Sequence, residues 1–213
     1  MCLVFQGAVA EDPPMNAELL MSCETSFVIE DEADCDVPAR EALLDRAMGA
    51  GRRRKSSEKL RRGRLPSKGL AFVARNGMDQ IIGTVRLWDV AAGGRPFLLL
   101  GPLAVDKSAE GRGVGSALMQ HAIMRAEQQG HGAIVLVGDA PYYQRFGFSA
   151  EKTGGLMMPG PVERHRLLGC ELVSGYLDGV SGMLVSCGGL AGNSPSLRPT
   201  RWTSVSARFF RVA

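Results

Sequence analysis

With 213 residues, 45% of them hydrophobic, the chain is long and apolar enough to bury the core of one domain of mixed secondary structure. Its formal net charge of +3 is too small to indicate a nucleic-acid partner, and no apolar run approaches the ~18 residues of a membrane-spanning helix. The 27 glycines are roughly twice the usual share, so turns and close backbone approaches are expected.

The charge is unevenly distributed along the chain. Residues 1–39 contain nine acidic side chains and no Lys or Arg, whereas the remainder carries 25 basic and 13 acidic ones. The first residues lack the positive region of a secretory signal, so we expect a cytoplasmic protein. Five cysteines, an odd number without a Cys-x-x-Cys pair, indicate neither a disulfide framework nor a zinc site, and no metal is expected.

The composition predicts three segments. Residues 1–24 lack a clean hydrophobic period and contain Asp12-Pro13-Pro14, which predicts a loose leader. A domain is expected over residues 25–185. From 186 to 213 the chain is rich in Gly, Ser, Pro and Thr and carries four arginines and no acidic residue, which predicts a flexible basic tail.

Within the domain, a short β-rich run at 26–30 precedes a predicted helix. Asp36-Val37-Pro38 supplies an N-cap and an early proline, and the helix is expected to end near Met48, before Gly49. A basic segment follows at 52–68, with a second short helix expected from Ser56 or Ser57.

The pattern then becomes extended. Two apolar runs, 70–74 and 81–88, are separated by Asn76-Gly77 and predict an antiparallel hairpin. A third strand is expected over 96–105, but Gly101-Pro102 cannot both lie in a regular ladder because proline donates no hydrogen bond and glycine weakens the pleat. A β-bulge is therefore predicted at this dipeptide.

The second half of the domain alternates helix and strand. Apolar residues at helical spacing after Ser116 predict an amphipathic helix that stops at Gly130. The run 133–137 predicts a buried strand, and Asp139-Ala140-Pro141 predicts the first turn of a short helix that ends at Gly147. One or two closing strands are expected around 167–173.

A glycine loop lies between the third strand and the long helix, with glycines at 111, 113 and 115. Free N–H groups and the helix dipole make such a position favourable for a phosphate. The dinucleotide fingerprint requires glycine where Ser116 stands, and the Gly-Lys-Ser/Thr ending of a P-loop is missing. The loop alone is thus compatible with a phosphate cradle or with a tight turn that serves packing.

The order of these motifs resembles the GNAT superfamily of N-acetyltransferases. The resemblance covers about 26–185 and is most specific over 103–118, where Leu-Ala-Val leads into the glycine loop and helix, and over 140–148, which ends in Tyr-x-x-Phe-Gly-Phe. The stretches 83–88, 100–105, 137–143 and 160–169 are similar to the bacterial YhbS-type subgroup of predicted acetyltransferases.

The resemblance implies an α/β fold, with a mostly antiparallel, splayed central sheet flanked by helices and acetyl-CoA wedged into the opening as cosubstrate. Backbone groups of Leu103, Ala104 and Val105 would pair with pantetheine. The diphosphate would be held by Gly111, Arg112, Gly113, Val114, Gly115 and Ser116. Glu110 stands where the family has Gln or Arg, so the backbone N–H groups carry the expected binding, with Arg112 offsetting the carboxylate.

The implied reaction is direct attack of an amine, on a small molecule or a protein, on the acetyl thioester. Tyr143 matches the family's general acid, which protonates the departing thiolate, whereas Tyr142 is expected to pack. A half-buried aromatic role is the alternative for Tyr143. For the general base, three side chains and a water chain stay open; the side chains are Asp89, Glu163 and His165.

Two questions stay open at this level. The basic segment 52–68 is either a solvated surface or an entrance that attracts an acidic acceptor or the CoA phosphates. The loop glycines Gly113 and Gly115 and the tyrosine Tyr143 favour an acetyltransferase, and the alternative is a non-catalytic module that binds CoA or, weakly, nucleic acid. As partners we expect acetyl-CoA and an amine that the sequence does not identify, and neither membrane nor nucleic acid; a homodimer is left open.

Overall fold

The computed structural model describes residues 26–192. The leader predicted for residues 1–24 and most of the predicted tail, residues 193–213, lie outside the described residues. Over residues 26–192, no helix is both long and apolar enough to cross a membrane.

Four helices and nine strands are formed by residues 26–192. The helices are α1 (Val37–Met48), α2 (Glu58–Arg61), α3 (Val114–Gln128) and α4 (Ala140–Tyr143). The strands are β1 (Phe27–Asp31), β2 (Ala71–Asn76), β3 (Ile81–Ala92), β4 (Arg95–Val105), β5 (Ala133–Val137), β6 (Leu156–Met157), β7 (Leu167–Glu171), β8 (Gly182–Met183) and β9 (Val185–Ser186).

One mixed sheet organises the domain, in the order β1-β2-β3-β4-β5-β7, with β9 paired to β3. All neighbours are antiparallel except β4 and β5, which are parallel. The short strands β6 and β8 form a separate parallel pair. The predicted α/β class with a mostly antiparallel sheet flanked by helices is confirmed.

The predicted β2–β3 hairpin is present, and Asn76 organises its turn. The Asn76 side-chain oxygen accepts hydrogen bonds from the backbone N–H groups of Met78, at 3.0 Å, and Gln80, at 2.9 Å. Such an asparagine side chain replaces backbone acceptors that a tight turn leaves unavailable. The local sequence therefore fixes where β2 ends and β3 begins.

Both faces of the sheet are covered, so consecutive residues, which point to opposite faces, are buried over 81–85 of β3 and 97–100 of β4. On one face α3 packs through Leu118 and Met119, which are fully buried. A Cβ atom on Gly83 would lie 2.8 Å from both Leu118 Cδ1 and Val114 Cγ1. Glycine at this position of β3 therefore lets the beginning of α3 lie directly on the sheet.

Residues 186–191, which composition assigned to the flexible tail, lie against the domain, and the prediction is corrected for this stretch. Strand β9 pairs with Val90 and Ala91 of β3. Further along, Leu65 N–H donates to Gly189 O at 2.8 Å and Ala191 N–H donates to Gly63 O at 3.0 Å. Backbone hydrogen bonds order a Gly- and Ser-rich segment in a way that its composition cannot reveal.

Candidate active site

The central sheet opens between β4 and β5. These parallel strands pair only at Leu98 with Ile134 and at Leu99 with Val135. Beyond Leu99, β4 continues to Val105 alongside β3, but its other edge has no strand partner within residues 26–192. A length of strand backbone therefore faces the opening with hydrogen-bonding groups available to a ligand.

The bulge predicted in β4 is confirmed and lies at the edge of this opening. Gly101 and Pro102 together oppose the single residue Arg86 of β3. Gly101 has φ 131°, a conformation that favours glycine, and its carbonyl accepts a hydrogen bond from Trp88 Nε1 at 2.5 Å. The bulge thus re-aims the backbone that leads to Leu103.

The glycine loop presents free donors at the beginning of α3. Gly111 and Gly113 have φ of 77° and 80°, which glycine adopts without strain. The first N–H that bonds back along the helix belongs to Ala117, which donates to Gly113 O at 2.9 Å. The N–H groups of residues 113–116 before it have no backbone acceptor in the described part of the chain, as expected at a helix N-terminus.

The loop, the end of β4 and α4 meet at Gly115. A Cβ atom on Gly115 would lie 2.9 Å from the Tyr142 hydroxyl oxygen and 3.4 Å from Val105 Cγ2. Ala104 is buried, and Arg112 is exposed at the tip of the loop. The structure therefore brings the predicted cofactor-binding residues together at one end of the sheet, beside the predicted tyrosine pair.

Tyr143 lies on α4, directly after β5, and lines the cavity described below. Its ring packs edge-on against Phe148 and Tyr142, with centroids 6.1 and 4.9 Å away. Burial, and to a smaller extent the neighbouring Tyr142 and Asp139, raises the pKa of Tyr143 to about 12. No hydrogen-bond partner for its hydroxyl is present among residues 26–192, so a protonated donor faces the cavity.

A cavity of about 530 Å³ lies in the opening of the sheet. Its walls include the bulge, Leu103, the end of β5 and Tyr143 on one side, and residues of α1 and of the segment 52–63 on the other. The cationic side chains from α1 and this segment are Arg40, Arg52, Arg53, Lys55, Arg61 and Arg62, and Arg86 of β3 joins them. The basic segment is therefore part of a cavity wall.

Carboxylates hold several of these arginines in place. Glu32, 3% exposed, pairs with Arg40 Nε at 2.9 Å and with Arg86 Nε at 2.6 Å. Glu41 pairs with Arg52. Burial alone would raise the pKa of Glu41, but the hydrogen bond from Arg52 and the neighbouring guanidinium charges outweigh it and lower this pKa. Glu41 therefore stays negatively charged and paired with Arg52.

None of the three side chains considered as general base lies on the cavity wall. Asp89 accepts a hydrogen bond from Ser67 Oγ at 2.8 Å elsewhere on the sheet. Glu163 and His165 lie 3.3 Å apart with side chains 66% and 75% exposed. The carboxylates that line the cavity are Glu41 and Glu58, which the sequence analysis did not single out. For Glu58, the spacing of three residues to Arg61 could have indicated an ion pair on one helical turn.

Known proteins are similar to this chain in sequence and fold. A family model described as an acetyltransferase (GNAT) domain matches residues 67–150. The protein YhbS of Escherichia coli (strain K12), an uncharacterized N-acetyltransferase, is 30% identical over 160 residues, which cover 74% of this chain and 95% of YhbS.

Solved structures of GNAT proteins are similar to this chain in fold. The crystal structure of E. coli YhbS in complex with CoA has a TM-score of 0.66 at 29% identity and covers 76% of this chain and 89% of that chain. A GNAT family acetyltransferase from Brucella melitensis, solved with acetyl-CoA, shares the fold at a TM-score of 0.50 and 24% identity, over 68% of this chain and 95% of its own.

The likeness to YhbS covers about three quarters of this chain and nearly the whole of that relative. The family model falls on the part of the chain that forms the opened sheet and the loop. The chain therefore belongs to the GNAT family of acetyltransferases.

Proposed function

We propose that this chain transfers an acetyl group from acetyl-CoA to an amine. The observation that carries the proposal is the opened sheet. Within residues 26–192, the edge of β4 beyond Leu99 has no strand partner, the N–H groups of residues 113–116 have no backbone acceptor, and a protonated Tyr143 lies nearby. The CoA seen in the related E. coli protein supports the same assignment.

The residues present fit acetyl-CoA. Backbone N–H groups at the beginning of a 15-residue helix suit a diphosphate, because they donate hydrogen bonds and share the positive end of the helix dipole. At Gly115, a side chain would fill the space between the loop and Tyr142. Along β4, the free edge from Leu100 to Val105 suits the amide groups of the pantetheine arm, which can pair as a strand does.

The reaction requires stabilisation of the developing negative charge and a proton for the departing thiolate. As the N–C bond forms and the C–S bond breaks, backbone N–H groups near Leu103 are available to the carbonyl oxygen on which negative charge develops. Tyr143 donates its proton to the departing sulfur. The nitrogen loses its own proton to water, since the cavity carboxylates Glu41 and Glu58 are both paired with arginines.

The test is acetyl-CoA-dependent thiol release by the full-length protein with a panel of small amines and lysine peptides. The expected result is amine-dependent release, with the N-acetyl product identified by mass spectrometry. Tyr143→Phe serves as the low-activity control. CoA binding without any acetylated product would favour a non-catalytic CoA-binding module, and absence of CoA binding by calorimetry would overturn the proposal altogether.

A further inference from the structure

The cavity carries more positive charge than its carboxylates neutralise. Among residues 26–192, seven cationic and two acidic side chains line it. Two further carboxylates, Glu32 and Asp45, pair with these arginines from outside the wall, which still leaves three positive charges in surplus. A low-dielectric recess with a surplus of one sign concentrates ligands of the opposite sign.

Arg61 is a buried cation of the cavity wall with unused hydrogen-bonding capacity. Its side chain is 10% exposed, and its Nη2 lies 3.1 Å from Glu58 Oε2. The buried Nε has no hydrogen-bond partner, and no bond from Nη1 is formed within residues 26–192. Burial lowers the pKa of Arg61, and the charge of Glu58 offsets this in part. A second anion would satisfy donors that are costly to leave unpaired.

Arg61 lies close to the part of β4 where the reaction is expected to take place. Arg61 Nη1 lies 3.6 Å from the point where a Cβ on Gly101 would stand. Leu103, two residues further along β4, lines the same cavity as Gly101 and Arg61. An anionic group bound at Arg61 would therefore lie only a few bonds from an amine placed at Leu103 and Tyr143.

The CoA phosphates have donors elsewhere. None of residues 111–116 lines the cavity, and the free N–H groups at the beginning of α3 suit the diphosphate. The cations of the cavity are thus left for the other substrate. A volume of about 530 Å³ suits a small molecule.

We propose that the acceptor is a small amine that carries a carboxylate or phosphate group, and that Arg61 binds this anionic group. The inference rests on the proposed acetyltransferase activity and specifies its substrate class. Charge-assisted hydrogen bonds of a buried arginine are expected to favour the anionic amine by about 10-fold or more over its neutral counterpart.

The experiment compares matched pairs of amines on the full-length protein: amino acids against their amides, glucosamine 6-phosphate against glucosamine, and spermidine as a cationic amine. The amino acids and their amides test for recognition of a carboxylate, and the two glucosamines test for recognition of a phosphate. The expected result is a kcat/KM at least about 10-fold higher for the anionic member of one pair, with spermidine poorest. Equal values, or preference for the neutral or cationic amine, would overturn the inference while leaving the acetyltransferase activity standing.

The variant Arg61→Gln should bring the anionic-to-neutral ratio close to one and leave the KM for acetyl-CoA within about 2-fold. Arg53→Gln removes the same charge from a side chain on the same wall that is 65% exposed, and should change the ratio less than about 3-fold. If Arg61→Gln instead weakens acetyl-CoA and spares the ratio, Arg61 serves CoA and the inference fails.

Two further measurements test the inference if Arg61→Gln does not fold or if no amine is acetylated. If Arg61→Gln does not fold, Arg61→Lys keeps the charge and loses the planar donors, and should lower the ratio in part. If no amine is acetylated, calorimetric titration of each matched pair into the CoA-bound protein decides the inference separately. Tighter binding of the anionic amines would support it, and equal binding would refute it, whatever becomes of the proposed activity.

Discussion

A Cβ atom on Gly138 would lie 2.2 Å from Cε2 of Tyr143. Gly138 follows the last residue of β5, and the tyrosine ring occupies the space that a side chain there would need. The glycine at the end of the strand therefore sets the position of the aromatic ring on the next helix. In packing this close, a single added methyl group displaces neighbouring atoms and lowers stability.

We expect Gly138→Ala to displace the ring of Tyr143 and to lower kcat by about 10-fold or more, since a small misplacement of a catalytic group is costly. The free energy of unfolding should fall by about 1–3 kcal/mol from overpacking. Steady-state kinetics and urea denaturation measure the two effects. In a Tyr143→Ala background the same change should have little further effect on kcat; a full additional loss would mean that Gly138 acts independently of the tyrosine.

Replacement of Tyr143 by Phe should lower kcat by roughly 10²-fold while acetyl-CoA affinity changes little, because the proton is donated only as the C–S bond breaks. The control is Tyr142→Phe, whose hydroxyl lies beside Gly115. This variant should alter the KM for acetyl-CoA more than kcat. Near-native kcat in Tyr143→Phe, under conditions where chemistry limits turnover, would reduce Tyr143 to a packing residue.

The raised pKa of Tyr143 gives a pH dependence with a defined sign. In the folded protein the pKa lies near 12 against an ordinary value of 10.0, so the hydroxyl stays protonated throughout the neutral and mildly alkaline range. Loss of this proton should not reduce kcat until the pH approaches 12. Stability that depends on the neutral hydroxyl is present below about pH 10 and is lost between about 10 and 12, because only the unfolded chain releases the proton readily there. Tyrosinate absorbance of the folded protein, compared with Tyr143→Phe, checks this assignment.

Gly113 and Gly115 of the loop should respond differently to alanine. Gly113 has φ 80° and open space around it, so Gly113→Ala should reduce the free energy of unfolding by about 1 kcal/mol through backbone strain. Gly115 lies in a helical turn, and its new methyl group would crowd Tyr142 and Val105. Gly115→Ala should therefore weaken acetyl-CoA by about 10-fold or more with a near-native melting temperature. If neither variant changes the shift in melting temperature produced by acetyl-CoA, the cofactor site lies elsewhere.

Local signals explain why much of the fold was predictable. The bulge at Gly101-Pro102 and the turn at Asn76 follow from residues that limit their own backbone. The strand Ala133–Val137 follows from an apolar run between glycines, and the helix Val37–Met48 follows from an early proline and a glycine stop. In each case the information is contained within a few residues, so one sequence suffices.

The acceptor side of the site was not predictable in the same way. Whether Arg61 is solvated or part of a cavity wall depends on where the segment 52–63 lies against β4, which is a long-range contact. The same reason misdirected the search for a base to Glu163 and His165, which are exposed. Side-chain chemistry identifies candidates, but the packing of distant segments decides which of them share a cavity.

Glu32, which directly follows β1, should contribute more to stability than the exposed carboxylates of that strand. It is 3% exposed and lies between two arginines that are themselves 7% and 13% exposed. Glu32→Gln would remove the carboxylate paired with Arg86 and leave Arg40 with Glu41 alone, which costs about 3 kcal/mol in the free energy of unfolding. Glu30→Gln is the control, since Glu30 is 52% exposed and pairs with Arg75 at 3.1 Å, and its loss should cost under about 1 kcal/mol. Urea denaturation of both variants compares them, and equal losses would mean that the buried cluster is replaceable.

The C-terminal segment should divide functionally at residue 192. A chain that ends at Gly192 keeps every hydrogen bond described between residues 185–191 and the domain, and should match the full chain in stability and acetyl-CoA binding. A chain that ends at Leu184 loses the β9 pairing and the hydrogen bond from Ser186 Oγ to Leu60 O, 2.6 Å long.

At about 1 kcal/mol for each net hydrogen bond, the shorter truncation should lower the free energy of unfolding by a few kcal/mol. Because Leu60 precedes Arg61, loss of this contact also loosens the cavity wall, so the KM for the amine should rise more than the KM for acetyl-CoA. Denaturation and steady-state kinetics of both truncations measure these effects. If the chain ending at Leu184 is as stable and active as the one ending at Gly192, the segment 185–191 lies on the domain without supporting it.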